Sequence, residues 1–213
     1  MGKVFAFASV DWRKAALRLP ILGLAVFLLA ACIDVDDFGE AWSKTTVDPA
    51  LAGRWVALDE NGEKPTSQEY AFTLKDGAYS IDSYVKGQRD ESGPLYPVKT
   101  LEIGKYKFLA NGPDQGVIIR YAVEGDGVVW YVLNPKHAWE FIQKKFPDTD
   151  SFYLDKADDE DDPDAPKSPK GAKGDDDDVL RIRHFDDTVF MILAQIPDTE
   201  YFWEPDTAIQ KVP

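Results

Sequence analysis

Thiol and imidazole chemistry have little to work with in this chain: 213 residues hold one cysteine and two histidines. One cysteine cannot form a disulfide within the chain, so no cysteine framework staples the fold. Zinc hydrolases and most transition-metal sites lean on histidine, and His137 and His184 lie far apart with no ligand-spacing motif, so no metal or other cofactor is expected. There is no Gly-x-Ser-x-Gly elbow, no phosphate-binding loop and no Gly-x-Gly-x-x-Gly. Positive charge is in deficit, with 24 Lys and Arg against 38 Asp and Glu. Nucleic acid and anionic lipid headgroups both require a basic face, so neither is an expected partner. Long apolar runs are also missing. The longest, Leu19 to Leu29, falls short of the roughly 20 residues a permanent spanning helix needs.

That short run belongs to a leader. Lys3, Arg13, Lys14 and Arg18 precede it, Pro20 and Gly23 interrupt it, and the small residues Ala30 and Ala31 follow. These are the three parts of a secretory signal. The run Leu29-Ala30-Ala31-Cys32 resembles the lipobox of bacterial lipoproteins. The resemblance implies cleavage between Ala31 and Cys32, with a diacylglycerol on the thiol of Cys32 and a further acyl chain, such as palmitate, on its amine. Each buried methylene contributes about 0.8 kcal/mol, so two or three chains anchor a domain stably. The expected location is the cell envelope. In lipoproteins of this kind Asp after the cysteine favours inner-membrane retention; here Ile33 follows, so the resemblance implies the outer over the inner membrane.

Residues 1–31 hold four of the Lys and Arg and one of the Asp and Glu. The remaining 182 residues therefore carry 20 positive against 37 negative side chains, a net charge of −17. Residues 32–50 are polar, acidic and without clear periodicity. They read as a tether holding the domain off the membrane, with a short helical turn around Phe38–Trp42. The domain is expected over 51–213.

From Leu51 onward, short runs rich in Val, Ile, Tyr, Phe and Trp alternate with turn signals. Expected strands are Gly53–Leu58, Tyr70–Leu74, Ala78–Tyr84, Tyr96–Ile103, Tyr106–Leu109, Val117–Val123 and Val128–Leu133. Asp76-Gly77 and Gly125-Asp126-Gly127 are tight-hairpin signals. The fold class is α+β, mostly antiparallel β, as a curled or barrel-like sheet with two short C-terminal helices. The first helix is announced by Asn134 as N-cap and Pro135 at the first helical position, and Pro147 stops it. For the second, Asp187–Ala194, propensity alone favours a strand. A capping Asp-Asp-Thr and an internal repeat favour a helix, and helix is the reading adopted. The repeat sets Phe146-Pro147-Asp148-Thr149 against Ile196-Pro197-Asp198-Thr199. It reads as a helix stop followed by a side-chain-capped turn, with a paired acidic site at Asp148 and Asp198 as the alternative. Residues 155–178 are acidic, then Pro/Lys-rich, and read as a disordered insertion in which no register supplies the twelve-residue calcium-loop pattern.

Gly53-Arg54-Trp55 resembles the Gly-x-Trp opening of lipocalins. The resemblance implies a barrel with the tryptophan closing its floor. Candidate pocket-liners are Trp55, Tyr70, Phe72 and Tyr121, with core packing as their other possible role. The acidic insertion and the second helix depart from the lipocalin plan. Glu69, Asp82, Glu102 and Glu124 lie in or beside strands, and none is assigned a catalytic role. Three functions stay open: a monomeric, non-enzymatic envelope module with a protein partner; a lipocalin-like binder of a small apolar ligand; and a carboxylate-dependent enzyme.

Overall fold

The computed structural model describes residues 33–59, 62–89, 97–113, 116–155 and 178–212. The leader with Cys32, and residues 156–177 of the acidic insertion, lie outside the described residues. Among the described residues, twelve strands and two α-helices follow in chain order. They are β1 (Ile33–Val35), β2 (Gly53–Leu58), β3 (Pro65–Lys75), β4 (Ala78–Val85), β5 (Gln88–Arg89), β6 (Val98–Ile103), β7 (Tyr106–Asn111), β8 (Gly116–Glu124), β9 (Gly127–Leu133), α1 (Pro135–Lys145), β10 (Phe152–Asp155), β11 (Val179–Ile182), α2 (Asp187–Leu193) and β12 (Trp203–Lys211).

Eight of the strands close on themselves. The ring runs β2-β3-β4-β6-β7-β8-β9-β12 and returns to β2, antiparallel at every step. Closure removes the sheet edges that an open meander would expose. The expected mostly antiparallel, barrel-like α+β fold is what forms, and the sheet does close.

Local chemistry explains the hairpins. Asp76 and Gly77 both take positive φ, 52° and 77°, the geometry of a two-residue turn whose twist matches its strands. Gly116 is required by a close approach, because a Cβ there would sit 1.6 Å from the Asn111 carbonyl oxygen. Both helices form where their caps predict. The Asn134 side chain accepts from His137 N at 3.1 Å, and Asp186 accepts from Val189 N at 3.0 Å. The run 187–193 is thus a helix despite its β-branched content: its cap satisfies an orphan N–H, and Val189, Ile192 and Leu193 are buried.

Period-two alternation sends one set of side chains inside the barrel and another outside, which makes two cores. The inner core holds Trp55, Tyr70, Phe72, Tyr79, Ile81, Leu109, Tyr121, Val128 and Ile209, with Leu51. The outer core lies between the β6–β9 wall and the helices. Phe108, Ile118, Leu133, Ile142, Ile192 and Trp203 belong to it.

The tether is corrected. Residues 33–51 are built into the domain, so the expected start at Leu51 is too late and the domain takes in Ile33. β1 pairs antiparallel with β8 and parallel with β11, through Ile33↔Ile118 and Asp34↔Arg181. Ile33, Val35, Phe38, Ala41 and Leu51 are buried. The physical reason is that Ile33-Asp34-Val35 alternates for only three residues, too few for a periodic signal, while a 3-10 helix at Gly39–Lys44 brings Phe38 and Ala41 inward. The helical turn expected near Phe38–Trp42 is this element. β10 and β12 were also unforeseen. In β12, Pro205 cannot donate to the ladder, and the register shifts between Pro205 and Ala208.

Candidate functional site

The barrel interior gathers all four candidate pocket-liners. Trp55 and Tyr70 are register partners across β2 and β3, and Phe72 follows two residues on. Tyr121 on β8 faces Trp130 on β9. The rings touch one another: Phe72 meets Tyr79 edge-on at 6.0 Å, stacks on Trp130 at 6.4 Å, and Trp130 meets Tyr121 at 5.9 Å. Trp55, Tyr70, Phe72 and Tyr121 are each at most 4% exposed, which makes core packing their work in this structure. Trp130 is only half-buried, so solvent reaches the aromatic interior on its side. Sequence reasoning missed Trp130, although its place two residues from Val128 marks the same face.

One end of the barrel is sealed by the segment 48–52. The Trp55 indole donates to the Leu51 carbonyl at 2.8 Å, and Leu51 is fully buried. Lys211, from the last strand, lies over the Trp55 ring at 5.5 Å. Gly53 has φ 125°, open chiefly to glycine, so both the glycine and the tryptophan of Gly53-Arg54-Trp55 have structural duties at this end. Asp48 fixes the plug. Its Oδ2 accepts from Lys107 Nζ at 2.7 Å and from the Tyr121 hydroxyl at 2.9 Å, and its carbonyl accepts from Tyr79. Burial raises the Asp48 carboxyl, but the hydrogen bonds from Lys107, Ala50 and Tyr121 outweigh that and hold it below the ordinary range. The Tyr121 phenol is pushed up, first by burial and then by Asp48, so it stays protonated and donates.

On the opposite side of the barrel wall lies a buried cation. Arg120 is 7% exposed and packs against Tyr106, Tyr131 and Trp203, with ring centroids at 4.4, 4.5 and 5.0 Å. Its Nη2 donates to Asp198 Oδ1 at 2.6 Å, and Lys105 reaches the other oxygen at 3.4 Å. Arg120 Nη1 and Trp203 Nε1 have no hydrogen-bond partner among the described residues. Asp198 thereby ties the α2–β12 loop to the barrel. It does not form an acidic pair with Asp148, which lines an open groove of about 370 Å³ with Lys145, Phe146, Thr188 and Ile192. That groove lies on the helical side, away from the barrel interior.

The other sequence candidates are dispersed. His137 stacks on Tyr201 at 3.7 Å, and His184 faces Asp37 at 3.2 Å. Glu69 pairs with Arg54 at 2.6 Å and Asp82 pairs with Arg89, while Glu102 and Glu124 are exposed. A Ser-x-x-Lys spacing, Ser83 to Lys86, lies on β4 and its turn. Ser83 faces Tyr70 in the ladder, whereas Lys86 sits in the turn at φ 52°. Among the described residues, no group of three or more His, Cys, Asp or Glu is placed to hold a metal ion. Nor is any helix among them long and apolar enough to cross a membrane. No protein-family model, curated protein or solved structure matches the chain.

Proposed function

We propose that this protein is a lipid-anchored lipoprotein of the bacterial cell envelope, and that its closed barrel is a non-enzymatic interaction module. One observation carries the reading: the first strand among the described residues, β1, includes Ile33, the residue directly after the lipobox cysteine. The lipobox Leu29-Ala30-Ala31-Cys32 therefore stands directly ahead of chain that is paired into the sheet from Ile33. The arrangement of polar groups supports a module rather than an enzyme. Asp48, Asp82, Asp198 and Glu69 are each engaged by a cation. Cys32→Ala should abolish palmitate labelling and release the protein from membranes. Unchanged membrane association would make the leader an uncleaved anchor and end the proposal. Turnover of ester, peptide or glycoside substrates by residues 33–213 would end the non-enzymatic part.

A second reading, binding of a small apolar ligand inside the barrel, is favoured by the half-buried Trp130 among the interior rings. Ligand entry would have to part rings already in contact. Tryptophan fluorescence that ignores added fatty acids would set this reading aside.

A further inference from the structure

We infer that the barrel is seated directly on a zwitterionic bilayer surface, through the flank where β1 begins, with no tether between lipid and fold. The inference rests on the lipoprotein reading of Cys32 and concerns what that anchor does to the domain. Ile33 is buried and paired with Ile118, and Asp34 is held on both sides, by Val117 and Arg181. A residue one peptide earlier lies only about 3.8 Å from the Ile33 Cα. A free segment as long as residues 33–50 would give the domain roughly 25 Å of root-mean-square reach. Folded into the sheet and the outer core, those residues give none.

The flank is fixed by register. β11 runs parallel to β1, so the start of β11 lies level with the start of β1. β10 runs antiparallel to β11 and ends beside that start, through Asp155↔Val179. Lys136, at the head of α1, reaches Asp178 at 3.8 Å. Arg181 bridges Asp155 at 2.7 Å, Asp34 at 3.3 Å and Asp36 at 3.8 Å. Among the described residues, four carboxylates therefore face two cations at this flank, and the acidic insertion departs from Asp155 and returns at Asp178 beside it. An anionic surface would repel it, and a zwitterionic one would not. A compact chain of this length has a radius of gyration of about 16 Å, so the far wall stays within roughly 40 Å of the interface. The binding partner must then lie at the bilayer surface or reach down to it.

Lipidation blocks the only native thiol, so one introduced cysteine is a unique labelling site. Lys136→Cys marks the flank. Thr73→Cys marks the exposed outer side of β3, four strands round the barrel from β8. Each full-length lipidated variant is labelled with a fluorophore and reconstituted into phosphatidylcholine vesicles carrying a headgroup spin label. The label at position 136 should lose most of its fluorescence and the label at 73 little. Inserting eighteen Gly/Ser residues between Cys32 and Ile33 should erase the difference. Replacing part of the phosphatidylcholine with phosphatidylglycerol should weaken quenching at 136. Equal quenching at the two positions without the linker overturns the seating while leaving the lipid anchor intact. Stronger quenching at 136 on phosphatidylglycerol overturns the zwitterionic preference. A protein that neither floats with vesicles nor takes palmitate overturns the anchor and the seating together.

Discussion

Asp198→Asn should destabilise the domain by roughly 2 kcal/mol, and the loss should vanish when Arg120 is replaced by Met. Arg120 is almost fully buried, and Asp198 is its only anionic hydrogen-bond partner among the described residues. Removing one member of a fully buried pair costs about 3–5 kcal/mol, because the other charge is left uncompensated. Asp198 itself is 43% exposed and shared with Lys105, so water and Lys105 screen part of the pair and lower the figure to about half that. Arg120→Met removes the charge that needs compensating. It forfeits the contacts with Tyr106, Tyr131 and Trp203, each worth on the order of 1 kcal/mol, but also removes a desolvation penalty, so a net change of about 1 kcal/mol or less is expected. Urea denaturation of the wild type, both single variants and the double variant gives the coupling. Asp198→Asn costing the same in both backgrounds would refute the account. The pH dependence adds a check. Burial raises the Asp198 carboxyl, but Arg120 and Lys105 outweigh it and hold the folded-state value below the unfolded one. Its contribution is therefore complete above the unfolded range near pH 4 and is lost as pH falls through the folded value, so the gap between wild type and Asp198→Asn should close in acid.

Trp55→Ala should cost about 3–5 kcal/mol in the same assay, since it empties a fully enclosed site and frees the Leu51 carbonyl and the Lys211 stem. Gly116→Ala should fail to reach the native far-UV spectrum or melt well below wild type, because its Cβ overlaps the Asn111 carbonyl; an unchanged melting temperature would contradict the loop geometry. Asn134→Ala and Asp186→Ala should each cost about 1 kcal/mol by chemical denaturation, the value of one helix cap. Burial raises the Asp206 carboxyl, so its charged form opposes folding. Asp206 is nonetheless exposed at the β12 irregularity, so only the sign is predicted: Asp206→Asn should raise the melting temperature slightly at pH 7 and leave it unchanged at pH 3.

The barrel was legible because most of its strands alternate over six residues or more and its turns carry glycine where φ must be positive. Gly53–Leu58 is a case in point: Trp55 and Ala57 go in, Arg54 and Val56 stay out, and the bounds read from sequence are those observed. The four interior aromatics were legible for the same reason. The outer layer was legible in its helices but not in its short strands. β1 and β10 are three and four residues long, too short for periodicity to speak, and β1 holds its place by pairing with strands 83 and 146 residues later in the chain. Asp34 and Asp36 made the segment look solvated, yet both lie beside Arg181. Arg120 was invisible as a site because nothing in Ile119-Arg120-Tyr121 says which face the arginine takes. Its role depends on Tyr131 across the ladder and on Asp198 and Trp203 from the far end of the chain.

The intact mass of the protein extracted from membranes tests the central claim most directly. The account predicts a chain that starts at Cys32 and carries a diacylglycerol thioether with an amide-linked acyl chain. A mass that retains residues 1–31, or that starts at Cys32 without lipid, would contradict it.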